Sequence, residues 1–396
     1  MRSVGGLALA LAALALSPGM ASAATAYLDL DYDIDSAPAP SPASENQLDI
    51  YAPDGASAAG WPVVVYAHGG AWAIGDKGNA IQSKVDLFTG AGYVFVSINY
   101  RLSPSTIPPG GPDPSRVKFP DHPHDVGEAV AWVARHIAAY GGDPAQIALI
   151  GHSAGAHLVS LVSTDPGYVA AYGVRPWQLI GTISLDTEAY DVPLRLATAG
   201  PSAEAIFHNA FGTPAENAAS GAWSEASPIR WAGSGDPPFM LVTQAAVPDR
   251  VQQTERMAAA LAQGSGAEVF YAPYDHEGIN DAVGNPADGA GETAAILAFL
   301  ARAVEAGKEP RAKLRRHPKR RIRIGSGKAR VRFAIKPNLA GGTVGCRLGK
   351  GKLKRCGLRR SFRVGPGGHT FRFQATSVRG RPGPVQRFRF AVRRQG

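Results

Sequence analysis

Hydrophobic positions along this chain follow two regimes that change over near residue 306. Before that point, short apolar runs at 62–66, 93–98, 147–150, 179–185, 239–242 and 269–272 predict strands. Stretches at 125–140, 156–163, 251–263 and 292–305 predict helices between them. The strand runs are mostly apolar on both faces and several are β-branched, the pattern of a parallel sheet covered on both sides. Alternation of this kind predicts a doubly wound, mostly parallel α/β domain. Past residue 325 the period becomes two. Val331, Phe333 and Ile335 share one face and Arg330, Arg332 and Lys336 the other, while Phe388, Phe390 and Val392 oppose Arg387, Arg389 and Arg393. Phe371 and Phe373 flank Arg372 in the same way. With Gly/Pro turns between them, these runs predict a small all-β sandwich. The intervening basic run, 311–321, lacks apolar periodicity and reads as part of a solvated linker. The expected organisation is therefore an α/β domain at 24–306, a linker at 307–324 and a sandwich at 325–396.

Charge sharpens this division. From Gly307 onward there are 28 lysines and arginines and one acid, Glu309, a formal +27, whereas the first 306 residues hold 13 basic and 31 acidic residues, a formal −18. The net +9 of the whole chain thus describes neither module. Arg2, the Leu/Ala run from Leu7 to Leu16 and Ala21-Ser22-Ala23 have the layout of a cleaved export signal, so residues 1–23 are expected to be removed and the protein to work outside the cytoplasm. No later run is long enough to span a bilayer. The Pro/Ala/Ser-rich stretch 36–44 reads as an irregular lead-in. Cys346 and Cys356, the two cysteines, are expected to form one disulfide in an exported chain. Two thiols without nearby histidines cannot complete a tetrahedral metal site.

The candidate chemistry centres on Gly151-His152-Ser153-Ala154-Gly155, set between an apolar strand and a helix-like stretch. Strand, sharp turn and helix around G-x-S-x-G form a nucleophile elbow, which lifts a serine above the sheet edge. A hydroxyl is a poor nucleophile without a base, and the base needs an acid to orient it. The order Ser, acid, His excludes the five histidines up to His152; His157 lies on the helix just after the serine, and His317 and His369 belong to the basic module, so His208 and His276 remain. His276 follows the last predicted strand in a polar loop and is the expected base. Asp249, after the 239–242 strand, is the expected acid, with Asp186 and Asp191 as alternates. Oxyanion donors are expected from the amides of Ala154 and of Gly70 or Ala71, in the loop His68-Gly69-Gly70 that follows another strand. Trp72 is a candidate wall of the acyl pocket, or equally a packed aromatic.

Together, His68-Gly69-Gly70-Ala71-Trp72, Asn99-Tyr100-Arg101-Leu102, Tyr140-Gly141-Gly142-Asp143-Pro144 and the elbow through Leu158 resemble the hormone-sensitive-lipase-like branch of α/β-hydrolases. The likeness covers roughly residues 47–303 and is greatest to bacterial esterases that include kynurenine formamidase and feruloyl-esterase-type enzymes. It implies ester or aryl-formamide hydrolysis by Ser153 with a histidine and an acid, and no cofactor. The chain departs from the family's His-Gly-x-x-Asp turn, showing Thr243-Gln244-Ala245-Ala246-Val247-Pro248-Asp249 instead. No long insert that would serve as a lid is apparent. The tail, with Cys346, Cys356 and Gly367-Gly368-His369-Thr370-Phe371, resembles Ig-like modules appended to exported bacterial proteins. The reading is an exported serine hydrolase acting on carboxylic esters of small or medium acyl or aryl groups. Formamide hydrolysis is the rival chemistry and a catalytically silent binding protein the rival class. The basic module is an expected tether to an anionic cell-surface polymer, with no nucleic-acid readout, because its aromatics alternate inward.

Overall fold

The computed structural model describes residues 24–33, 45–108, 111–264 and 266–395. The export signal read at 1–23 and the 36–44 lead-in lie outside the described residues. The first domain is built on eight strands: β1 (Thr25–Asp31), β2 (Gln47–Ala52), β3 (Trp61–Ala67), β4 (Val94–Ile98), β5 (Gly142–His152), β6 (Leu179–Leu185), β7 (Phe239–Gln244) and β8 (Ala267–Ala272). They lie in the order β1-β2-β4-β3-β5-β6-β7-β8. β1 and β2 run antiparallel to their neighbours, and all pairings from β4 to β8 are parallel.

The strand alternation divides the core between two faces. Val63, Val65 and Ala67 of β3 join one cluster, which includes Val126, Val130 and Val133 of helix Asp121–His136 and Leu158 and Val162 of helix Ala154–Thr164. Val64 and Tyr66 point the other way, toward Phe88 of helix Gln82–Gly90 and Ile296, Phe299 and Leu300 of helix Glu292–Gly307. Burial on both faces explains why these strands lack polar alternation. The apolar runs at 62–66 through 269–272 all fall in strands β3 to β8, in the expected order.

Two expectations are corrected. Residues 186–238, between β6 and β7, form a long insert of short helices, among them Val192–Ala197, Pro201–Phe211, Pro214–Ser220 and Pro228–Trp231. They are too brief for periodicity to register, and prolines at their starts, which favour a first helical turn, resemble loop punctuation in sequence. The basic run is not an open linker either. It supplies β9 (Ala312–Arg316) and β10 (Arg321–Ile324), which turn Ala312, Leu314, Ile322 and Ile324 inward. Apolar residues at every second position are hidden there by the arginines between them.

The remaining strands are β11 (Ala329–Pro337), β12 (Thr343–Leu348), β13 (Lys354–Arg355), β14 (Arg359–Val364), β15 (Gly367–Thr376) and β16 (Gln386–Arg394). They complete a five-stranded sheet, β10-β16-β15-β12-β13, and a three-stranded sheet, β14-β11-β9. Both contribute to one apolar core, in which Phe333 stacks on Phe371 at 4.0 Å between ring centroids. The module is joined to the first domain by the turn after β15. Arg379 reaches the carbonyls of Leu179 and Pro176, and Arg381 reaches that of Gly307 and lies over Trp177. Leu179 begins β6, so this junction is at the edge of the sheet opposite the elbow.

Cys346 and Cys356 form the expected disulfide across 10 residues. A cross-link closing so short a loop stabilises by about 2–3 kcal/mol through restriction of the unfolded chain. Cys346→Ala/Cys356→Ala should therefore lower the unfolding midpoint of the β module while the transition of the first domain stays in place. Thermal unfolding that resolves the two transitions checks this, and an unchanged midpoint of the β module would contradict it.

Candidate active site

The site lies along the C-terminal edge of β5, β6, β7 and β8. Ser153 follows β5 directly and has a left-handed backbone (φ 54°), which places its side chain above the edge. The turn works because its flanks are glycines: a Cβ on Gly151 would lie 2.4 Å from the Gly155 carbonyl oxygen, and one on Gly155 would lie 2.1 Å from that of Ala67. β5 and β6 pair with His152 opposite Leu185, and the Ser153 amide donates to the Leu185 carbonyl at 2.9 Å. Asp186, the residue after β6, is therefore the neighbour of Ser153 on the next strand. It too is left-handed, with φ 53°.

His276 opens the helix His276–Ala282, whose preceding Asp275 caps it by accepting from the Gly278 amide at 2.8 Å. Its Nε2 is 2.8 Å from Ser153 Oγ and its Nδ1 is 2.7 Å from Asp186 Oδ2. With the carboxylate accepting, Nδ1 carries the proton and Nε2 is the free base facing the hydroxyl. His152 fixes this geometry from below: its Nε2 donates to the His276 carbonyl at 2.9 Å. Burial, with the adjacent His276, pushes His152 down to about 3, so it stays neutral as a donor.

The structure thus brings Ser153 and His276 together but sets Asp186, rather than Asp249, beside the imidazole. Asp249 is exposed in the first turn of helix Pro248–Leu261, beyond the end of β7. The turn after β7 has a different task. Gln244, its last strand residue, gives its backbone N–H (3.1 Å) and side-chain amide (2.7 Å) to the Asp186 carboxylate, and Arg250 Nη1 lies 3.1 Å from Asp186 Oδ2 and 2.9 Å from the Asp186 carbonyl. Asp186 is fully buried, which alone would raise its carboxyl. Hydrogen bonding from His276, the Arg250 charge and the Gln244 donors outweigh burial and hold it below the usual carboxylate range. The alternate Asp191 caps helix Val192–Ala197 through the Leu194 amide and pairs with Arg256. His208 stacks on Trp223, away from the serine.

The His68–Ala71 loop is pressed against the nucleophile, since a Cβ on Gly69 would sit 3.1 Å from Ser153 Cβ. Gly70 (φ 119°) and Ala71 (φ 52°) turn sharply, and the Gly70 carbonyl is occupied by the amides of Ala73 and Ile74. The amides of Gly70, Ala71 and Ala154 donate to no other protein group among the described residues. His68 shapes the loop: its ring stacks on Tyr100, whose hydroxyl donates to the His68 carbonyl at 2.9 Å. Trp72 is a packed aromatic, 4 % exposed, against Phe207 and Phe211 of the insert. Its Nε1 donates to His157 Nδ1 at 3.3 Å, while His157 Nε2 donates to the Ala226 carbonyl at 2.7 Å. His157 thereby ties the elbow helix to the insert.

His152, His276 and Glu277 each place one potential metal-ligand atom within 4.8 Å of the others. Both ring nitrogens of His276 face Asp186 and Ser153, so a metal there would have to break the serine–histidine–aspartate chain.

Sheet order and site geometry are those of the α/β-hydrolase fold. Residues 48–169 match the model of the BD-FAE family. Over 243 residues the chain is 31% identical to esterase LipQ of Mycobacterium tuberculosis, covering 58% of this chain and 52% of the relative. Over 122 residues it is 41% identical to the same organism's "Probable carboxylic ester hydrolase LipM", covering 31% of this chain and 26% of the relative. The chain spans about half or less of the length of these curated relatives. Among solved structures, a truncated carbohydrate esterase from gut microbiota superposes with a TM-score of 0.55 at 20% identity, over 73% of this chain and 99% of that one.

The Arg250 cation is one of the groups that hold the buried Asp186 carboxyl below the usual carboxylate range. Arg250→Met should let the site bind its proton more readily, moving the acid limb of the kcat/KM profile to higher pH, and Arg250→Lys should restore it in part. A profile that loses amplitude without moving along the pH axis would contradict this.

Proposed function

We propose that this protein is an exported serine carboxylesterase that works through an acyl-enzyme. The observation that carries the reading is the unbroken chain from Ser153 Oγ through His276 to Asp186, with links of 2.8 and 2.7 Å. His276 Nε2 takes the hydroxyl proton as Oγ attacks the ester carbonyl carbon. Asp186 keeps the imidazole in the Nδ1–H tautomer and stabilises its positive charge. The amides of Ala154 and of Gly70 or Ala71 receive the oxyanion charge, where fixed donors are most effective. His276 then protonates the departing alcohol, and the acyl group remains on Ser153. Water, deprotonated by the same Nε2, attacks the acyl carbon and frees the acid and the serine. Ester rather than formamide chemistry is favoured by the LipQ and LipM relatives, both named for ester hydrolysis.

Export rests on the 1–23 pattern, and the charge split supports a second role for the tail, that of holding the enzyme at an anionic cell-surface polymer. Ser153→Ala should abolish turnover of p-nitrophenyl esters and labelling by a fluorophosphonate probe, with wild type outpacing its own rate on aryl formamides. Labelling that survives the substitution would sink the nucleophile, and faster formamide turnover would sink the ester preference.

A further inference from the structure

The outer face of the three-stranded sheet collects like charges that have no acid to answer them. From Ala312 to the end of the chain there is no aspartate or glutamate. Cross-strand register sets Arg330 opposite Arg363 and Lys336 opposite Lys313. Like charges placed directly opposite are destabilising, so this face carries an electrostatic cost that no ion pair to an acid offsets among the described residues.

One place on it has the form of a cradle. Ala334, at the centre of β11, faces Arg359 on β14 and Arg316 on β9. A small side chain therefore forms a floor between two guanidinium groups, and Arg332 lies one same-face step along β11. The resulting open hollow of about 410 Å³ is lined by Arg316, Arg330, Arg332, Arg359, Arg360 and Ser361 among others. A second hollow of about 310 Å³ shares Arg316, Arg330 and Arg332 and continues past His317 and Pro318. Two adjoining hollows with common arginines make an extended track rather than a single ion pocket. Arg316, Arg330, Arg332 and Arg359 are all exposed, and the contacts of Arg379 and Arg381 with the hydrolase domain lie in the turn after β15.

We propose that this track is a binding site for successive oxyanion groups of a linear polyanion, seated over Ala334 between Arg316 and Arg359. The proposal deepens the tether reading and rests on it. The cations are arginines, whose planar forks bind phosphate, sulfate or carboxylate oxygens in bidentate fashion. Oxyanions seated there would relieve the like-charge repulsion that the register imposes. The aromatic side chains of this module are turned into its core, leaving no platform on which bases could stack.

The test uses the full chain on immobilised polyphosphate and on immobilised polygalacturonate. It compares wild type with Arg316→Ser/Arg330→Ser/Arg332→Ser/Arg359→Ser and with a control that loses the same charge from the other sheet, Arg321→Ser/Arg387→Ser/Arg389→Ser/Arg393→Ser. The site predicts binding at least about tenfold weaker for the track variant, because charge-assisted contacts are lost, a much smaller loss for the control, and elution of wild type by salt. Retention through the track on either matrix supports the site, and the stronger matrix identifies the oxyanion. Equal losses in the two variants would overturn the track while leaving a diffuse tether. A wild-type chain held by neither matrix would overturn the tether and the track together. All three proteins should keep the wild-type circular-dichroism spectrum and the unfolding midpoint of the β module, which verifies that this module is folded.

Discussion

The pairing of β5 with β6 is the constraint on which the site depends. Its register carries one hydrogen bond past the end of β5, from the Ser153 amide to the Leu185 carbonyl, and so places Ser153 and Asp186 on adjacent strand ends. Both residues adopt left-handed backbone, a conformation that costs energy outside glycine and persists only where the surroundings fix it. Here the surroundings are the sheet below, the Gly155–Ala67 contact beside the elbow and the Gln244 amides around the carboxylate. Once these two groups are fixed, one histidine from the end of β8 can reach both.

Electrostatics complete what the sheet begins. A fully buried carboxylate is tolerated because donors and a cation surround it. For Asp186 they come from β7, its following turn and the His276 helix. Arg250 also lies 3.7 Å from Glu188, which pairs with Arg195, so the acid belongs to a charged network continued by the insert. His152 and His157 are kept neutral by burial and act as fixed hydrogen-bonding struts, one under the base and one behind the oxyanion loop.

Much of this was legible in the sequence. The apolar runs located six strands of the sheet because strands buried on both faces have no polar residues to obscure them. Ser153 was marked by its flanking glycines, and His276 by its polar loop after the final strand. The acid was not settled in the same way. Asp249 and Asp186 each follow a strand, and chain order admits both. What separates them is that Asp186 adjoins its strand without a spacer, as Ser153 does, whereas Asp249 is carried off by a helix start at Pro248. The antiparallel edge was missed for another reason: β1 is largely exposed and β2 carries Gln47 and Asp49 among its apolar residues, so neither shows a sustained apolar run. In the tail, charge masked period-two patterning, and strands β9 and β10 were read as linker.

The two modules separate their tasks by position as well as by charge. The basic sandwich is fastened near the start of β6, while the serine, histidine and aspartate meet at the opposite edge of the sheet. The central claim is that the acid of the site comes from the end of β6. The most direct measurement compares kcat/KM of Asp186→Asn and Asp249→Asn with wild type on one soluble aryl ester. The account predicts a fall on the order of 10⁴-fold for Asp186→Asn. It predicts a rate within about threefold of wild type for the exposed Asp249→Asn. A large loss in Asp249→Asn with Asp186→Asn close to wild type would contradict it.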